Sequence, residues 1–343
     1  MAAAPTRLRC DFLENPLGID NLRPQLSWLP NDSRPAELQT AWQILAASEP
    51  GRLNELEADL WDSGRVSASG HVQVHYGGAA LVSRQRIWWA VQSFDSDGLP
   101  SGYSRPAFFE MGLLQPSDWL GHWIGAAYMG SRTVAAPVPM LVRDFVLTAM
   151  PKRARLYLAA AGYCRGEMNG QALGIEPSSP TASDYRSRVR YRSVDVTALL
   201  TRGHNRLGLL LADGTYAGNI VRRNQRQQYG NRPMLLAQLE VVSADGRVQR
   251  FASDAQWRYR PSGWLQSDPV LGEHFDARQQ APFWSRPPLE NNEQQGWLPV
   301  RCFPAPTGAL AADLAPAAVV QRRLAPLEPP SLVLNEWQQA SWR

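Results

Sequence analysis

Apolar and polar residues alternate along much of this chain with a period of two, the pattern of half-buried strands. Residues 86–94 set Ile87, Trp89 and Val91 on one face and Trp88, Ala90 and Phe94 on the other, ahead of the turn dipeptide Asp97-Gly98. Residues 39–47 set Ala41, Gln43, Leu45 and Ala47 against Trp42, Ile44 and Ala46, and residues 60–64 read as a short strand entering a turn. Between these two, residues 51–58 are the one stretch with helical character. Short strands separated by turn residues predict a β-sandwich of about 100 residues over the first third of the chain.

A second β unit follows a change of composition near residue 115. Residues 107–111 make a last strand, Gln115-Pro116-Ser117-Asp118-Trp119 comes next, and residues 125–139 are rich in Gly, Ala and Pro, as a connection is. Beyond it, Leu156 and Leu158 alternate with Arg155, Tyr157 and Ala159, and Asn169-Gly170 is the strongest hairpin signal in the chain. Asp195 is placed to cap one helical turn over 196–200, which Gly203 ends. Residues 206–211 form a strand closed by Asp213-Gly214, and 234–242 and 247–252 pair about Asp245-Gly246. About eight such strands fit a jelly roll. The expected class is all-β, with a sandwich over 1–115, a linker and lead-in strand over 116–140, and a jelly roll over 141–300. Residues 301–343 read as a Pro/Ala-rich linker or the truncated start of a further domain.

Composition narrows the function classes. Apolar residues at 44% and charged residues at 19% are globular values, and a length of 343 suits about two domains. No apolar run reaches the roughly 18 residues of a membrane span, and residues 1–6 lack the basic stretch and apolar core of a secretory signal, so the expectation is a cytoplasmic protein with no membrane partner. The net charge of +4 is spread without a basic block, so nucleic acid is not an expected partner. Cys10, Cys164 and Cys302 are odd in number and far apart, which excludes a disulfide framework and a CxxC site and leaves three inert thiols.

Enzymatic signatures are few. GxSxG, HExxH, GxxxxGK[ST] and GxGxxG motifs are missing. His71 and His75 fall on one face of an extended segment but about 13 Å apart by strand rise, too far to share a metal ion, and His122, His204 and His274 are isolated. Glycoside hydrolysis needs only two carboxylates across a suitable gap, and Glu273 with Asp276 is one pair; Asp184, Asp213 and Asp254 lie in turns. The bland reading is that turn aspartates cap backbone amides and that Glu273 or Asp276 pairs with Arg278. Thirteen tryptophans exceed the needs of two small cores, and aromatic rings beside polar turn residues hold the apolar face of a sugar. Tyr185, Tyr216 and Trp264 are the loop candidates, whereas Trp28, Trp61 and Trp89 belong to the core.

The motifs themselves resemble a family. Leu8-Arg9-Cys10, Asn15-Pro16-Leu17-Gly18-Ile19-Asp20, Pro24-Gln25-Leu26-Ser27-Trp28, Leu60-Trp61-Asp62-Ser63-Gly64 and Trp89-Ala90-Val91 with Asp97-Gly98 are similar to the N-terminal fibronectin-III-like domain of bacterial α-L-rhamnosidases of glycoside hydrolase family 78. Ala154-Arg155-Leu156-Tyr157, Gly162-Tyr163, Asn169-Gly170, Asp184-Tyr185, Arg188-Val189 with Tyr191, Asp195-Val196-Thr197, Gly203 with Asn205, and Gly272-Glu273 with Asp276-Ala277-Arg278 resemble the jelly-roll, carbohydrate-binding-like domain that follows it. The resemblance covers roughly residues 7 to 300, in order and at family-like spacing.

The resemblance implies a parent that hydrolyses terminal α-L-rhamnosyl units with inversion, its acid and base carried on an (α/α)6 barrel after the β domains. No stretch of this chain has the run of amphipathic helices such a barrel needs, and residues 326–337 look like the lead-in to it. The expectation is therefore a non-catalytic N-terminal portion with no catalytic residue and no cofactor, its partners the barrel and rhamnose-containing glycans. Sugar-binding candidates are Asp184, Tyr185, Tyr216, Asn219, Glu273 and Asp276. The chain departs from the family at Thr215, where tryptophan is usual before the tyrosine, and at Cys164 and Arg165, where tyrosine and glutamate are frequent. Relatives that bind rhamnose through calcium need about six convergent oxygens, which Asp184, Asp213 and Asn219 do not establish, so no metal is expected. Two alternatives stand beside this reading. An active glycosidase using Glu273 and Asp276 would lose turnover on Asp276→Asn, and a free-standing carbohydrate-binding module would lose rhamnose binding on Tyr216→Ala.

Overall fold

The computed structural model describes residues 3–32, 34, 38–174, 180–222, 225–288, 296–315, 321–322, 324–325, 332–334 and 340–342. The first unit is a two-sheet sandwich. One sheet has the order β1 (Ala3–Cys10), β3 (Gln25–Asn31), β6 (Val74–His75). The other runs β2 (Leu17–Ile19), β8 (Ala107–Met111), β7 (Arg86–Phe94), β4 (Ala41–Ala47), β5 (Trp61–Asp62), antiparallel except where β2 meets β8. The alternating positions do what their pattern predicts: Ile87, Trp89 and Val91 enter a core with Trp28, Ile44 and Phe109, each 1% exposed or less. The reverse face of β7 is covered too, and its polar residue is satisfied there, Gln92 donating to Gln43 at 3.0 Å.

Two features of this unit differ from the sequence reading. Residues 51–58 form no α-helix; a single 3-10 turn over Pro50–Arg52 is followed by turns in which the Asn54 side chain accepts the amides of Leu56 and Glu57. Asn offers the backbone a local partner that competes with helical bonding, and eight residues are too few to repay helix nucleation. The N-terminal strand β1 was not foreseen, because its pairing with β3 shifts register twice and Arg7 takes a φ of 51°, which breaks the alternation.

The second unit stacks two larger sheets. One has the order β13 (Gln171–Ala172), β12 (Tyr163–Met168), β15 (Gly203–Ala212), β10 (Pro139–Leu147), β18 (Arg258–Pro261), β21 (Leu298–Pro299). The other runs β22 (Arg301–Phe303), β9 (Trp123–Gly125), β16 (Met234–Ser243), β11 (Pro151–Ala161), β14 (Arg188–Asp195), β23 (Ala309–Ala312), with β17 (Val248–Ala252) also on β16. Between them lies a core that includes Leu141, Leu156, Leu158, Leu209, Leu211 and Leu239. Asn169 and Gly170, at φ 54° and 80°, make the two-residue hairpin of β12 and β13, both residues in the left-handed region that this turn demands. Asp195 accepts the amide and hydroxyl of Thr197, and the turn it starts is 3-10, over Thr197–Leu199.

The segments read as connections contribute strands. Within 116–140, β9 pairs with both β16 and β22, and within 301–343, β22 and β23 lie at the two edges of the larger sheet. Both are three or four residues long, below the length at which alternation shows in a sequence. The two units meet across charged and small residues. Glu110 of β8 receives Arg155 of β11 at 2.6 and 3.1 Å as well as Arg86, and Arg84 bridges Asp118 and Glu240. Gly18 and Gly112 let the backbones close up: a Cβ on Gly18 would lie 1.9 Å from Ser193 Oγ, and one on Gly112 2.1 Å from the Tyr191 hydroxyl.

Candidate functional site

A cavity of about 420 Å³ lies on the outer face of the six-stranded sheet. Its floor follows from the period of two. Cys164, Gly166 and Met168 of β12 turn inward, so Tyr163 and Arg165 turn outward, beside their register partners Ala212 and Leu210 of β15. Its wall is a hairpin of β19 (Trp264–Asp268) and β20 (Gly272–Phe275), which brings Trp264, Asp268 and Glu273 to the rim. The wall is fixed at both ends. The carbonyl of Trp264 accepts the Val138 amide at 2.8 Å, and the Trp264 ring packs on Phe275 with centroids 4.6 Å apart.

Asp268 anchors the other end and is saturated. Its carboxylate accepts Arg226 at 2.7 Å, the amide and carboxamide of Asn219 at 3.0 Å each, and the amides of Val270 and Leu271 at 2.9 and 3.1 Å. Burial opposes its charge, but the amides of Asn219, Val270 and Leu271 outweigh it and hold the carboxyl below the usual range. Arg226 also donates to Asp213 and to the Ser131 carbonyl, so one buried guanidinium ties three loops together. At Asp213 burial is the largest effect and pushes the carboxyl upward, with Arg226 opposing.

The other sequence candidates divide between cavity, core and turn. Glu273 stands in the cavity, exposed, accepting the Ser267 hydroxyl at 3.2 Å. Asn219 is 0% exposed and works on Asp268 and Gln225 from behind the wall. Tyr185 and Tyr216, expected on loops, are 2% and 6% exposed and pack edge to face at 5.0 Å with Tyr229 beside them. Burial raises both phenols. The Tyr216 ring turns inward because the chain at Asp213-Gly214 continues into one helical turn, Gly214–Ala217, that lies on the larger sheet, and the Tyr185 ring packs in the same cluster. Asp184 is an exposed turn residue paired with Arg186 at 3.1 Å, which lowers its carboxyl. Asp276 caps the 3-10 turn Ala277–Gln279 and holds Arg278 at 2.8 and 2.9 Å, an arrangement that depresses its carboxyl strongly. Of the two carboxylates considered as a catalytic pair, only Glu273 lines the cavity.

Sequence reasoning named Trp264 but treated Arg165 only as a departure from a pattern and passed over Asp268 and Arg226. The last two are 42 residues apart, and nothing local signals their meeting. Arg165 carried a usable signal: it is a charged residue among alternating strand positions, hence outward-facing.

The chain compares with known proteins over most of its length. A family model described as the α-L-rhamnosidase N-terminal domain matches residues 149–322, and one described as a Rha78A-like N-terminal immunoglobulin domain matches residues 5–115. An α-L-rhamnosidase of Formosa agariphila is 32% identical over 298 residues, covering 85% of this chain and 32% of that protein. The solved α-L-rhamnosidase of Dictyoglumus thermophilum superposes with a TM-score of 0.82 at 28% identity, over 91% of this chain and 35% of that one. The Streptomyces avermitilis α-L-rhamnosidase, solved with L-rhamnose, gives 0.82 at 23% identity over 89% and 45%, a likeness of fold. This chain spans 32% to 44% of the length of the curated relatives it matches. With sandwich and jelly roll each matched in order, the chain belongs to the N-terminal β region of glycoside hydrolase family 78, the α-L-rhamnosidase family.

Proposed function

We propose that this chain is the non-catalytic N-terminal portion of an α-L-rhamnosidase-like hydrolase, a β scaffold against which a catalytic (α/α)6 barrel packs. The parent enzyme would remove terminal α-L-rhamnosyl residues with inversion. The observation that carries the reading is the saturation of Asp268. An inverting glycosidase needs a protonated carboxyl and a second carboxylate about 6.5–9.5 Å away, with room for a sugar ring and a water between them. Asp268 and Glu273 are the carboxylates at the rim of the cavity, and five donors hold Asp268 ionised and occupied, so it can neither give a proton nor activate water. Glu273 is left without a partner carboxyl, since Asp276 is committed to Arg278.

A scaffolding role also suits the joint between the units. Glu110 and Arg155, both buried, form a charged cluster with the half-buried Arg86, and a cluster of that kind is costly to open because each separated charge loses its partners. The test is incubation with a nitrophenyl α-L-rhamnoside. No nitrophenolate above the blank is expected from the wild-type chain or from Glu273→Gln. Release by the wild type that disappears in Glu273→Gln would restore the catalytic alternative.

A further inference from the structure

We propose that the cavity between β12, β15 and the β19–β20 hairpin is a metal-independent binding site for one neutral deoxyhexose ring, with Arg165, Glu273 and Trp264 as its contacts. Three observations support this. The volume, about 420 Å³, falls in the range of sites that enclose one small ligand. The lining is apolar and aromatic, with Tyr163, Leu210 and Trp264, which suits the C–H face and methyl group of a deoxy sugar. The polar groups are unspent: Arg165 has no hydrogen bond or ion pair among the described residues, and Glu273 accepts only the Ser267 hydroxyl.

The donor set also selects the ligand class. One guanidinium and one free carboxylate cancel in charge and together offer donors and acceptors, the complement of adjacent sugar hydroxyls. An anionic ligand would meet Glu273, and among the described residues no three His, Cys, Asp or Glu side chains converge to draw a metal ion. The site is also formed in advance. Asp268 fixes one end of the wall through Arg226 and Asn219, and Val138 fixes the other through the Trp264 carbonyl, so binding does not have to order a loop.

The choice of a deoxyhexose rests on the family reading, whereas the cavity and its contacts do not. The experiment is calorimetric titration of the whole 343-residue chain with L-rhamnose, with L-mannose, which differs only by a hydroxyl on C6, as the comparison. Saturable binding is expected with a Kd on the order of 1 mM, unchanged by a chelator. Trp264→Ala and Arg165→Met should each weaken it at least about tenfold, with Glu273→Gln as the near-isosteric check in a fold that cannot have changed much. Wild-type thermal unfolding of each variant establishes that it is folded. Absence of saturation up to about 50 mM, or binding indifferent to all three substitutions, overturns the site. Saturation by L-mannose at equal affinity overturns the deoxyhexose assignment. None of these outcomes bears on turnover, so failure here is separate from failure of the non-catalytic reading.

Discussion

Replacing Arg226 by Met removes the one cation shared by two buried carboxylates. Its side chain is 2% exposed, and those of Asp213 and Asp268 are 7% and 0% exposed. The two ends of the network lose unequally. Asp268 keeps four donors, from Asn219, Val270 and Leu271, and forfeits one charge-assisted bond, about 1.5–3 kcal/mol. Asp213 keeps none among the described residues, and breaking a buried pair this way costs about 3–5 kcal/mol, reduced here because burial lets the carboxyl take up a proton. A combined loss of about 4 kcal/mol lowers the Tm of a domain this size by about 8–16 °C. Calorimetry or near-ultraviolet circular dichroism measures it. The pH dependence has a defined sign: a native carboxyl raised above its unfolded value binds protons more readily when folded, so the deficit of Arg226→Met shrinks as the pH falls through that value. Arg226→Met with Asp213→Asn should recover part of the loss at neutral pH. A Tm change under about 2 °C, or one abolished by salt, would refute the reasoning, since a buried pair is poorly screened.

Other substitutions separate structural from ligand-binding roles. Tyr216→Ala should destabilise the chain by about 3–5 kcal/mol, because it empties a buried ring site, and should leave rhamnose affinity within twofold when measured well below the unfolding temperature. Gly112→Ala should cost about 1–3 kcal/mol by thermal denaturation, as its Cβ would lie 2.1 Å from the Tyr191 hydroxyl at the joint of the two units. A thiol reagent should modify one cysteine in the native chain, Cys302, and all three after unfolding. Cys10 and Cys164 are 1% and 0% exposed, and burial pushes both thiols up, that of Cys164 to about 12.

How far the sequence reveals the fold depends on strand length and on turn chemistry. The strands at 86–94 and 107–111 have the extents read from their patterns, because both are bounded by turn residues and carry large apolar side chains in register. Asn169-Gly170 gave its hairpin for the same local reason, a need for two residues at positive φ. Strand β1, with its register shifts, and the short strands β9, β22 and β23 left no such mark, since their partners across the sheet decide them. The site was legible in part. Trp264 and Glu273 were recognised as residue types suited to sugars, but the loop that was expected to present Tyr216 carries its ring inward. The wall depends on Asp268 meeting Arg226 and Asn219 across 42 and 49 residues, a convergence that only the folded chain reveals.

The most direct measurement of the central claim is the anomeric proton spectrum of a rhamnoside incubated for days with the purified chain at high concentration. Unchanged substrate is the expected result. Steady appearance of the anomeric signals of free L-rhamnose would contradict it, because an acid and a base would then have to exist within these β domains.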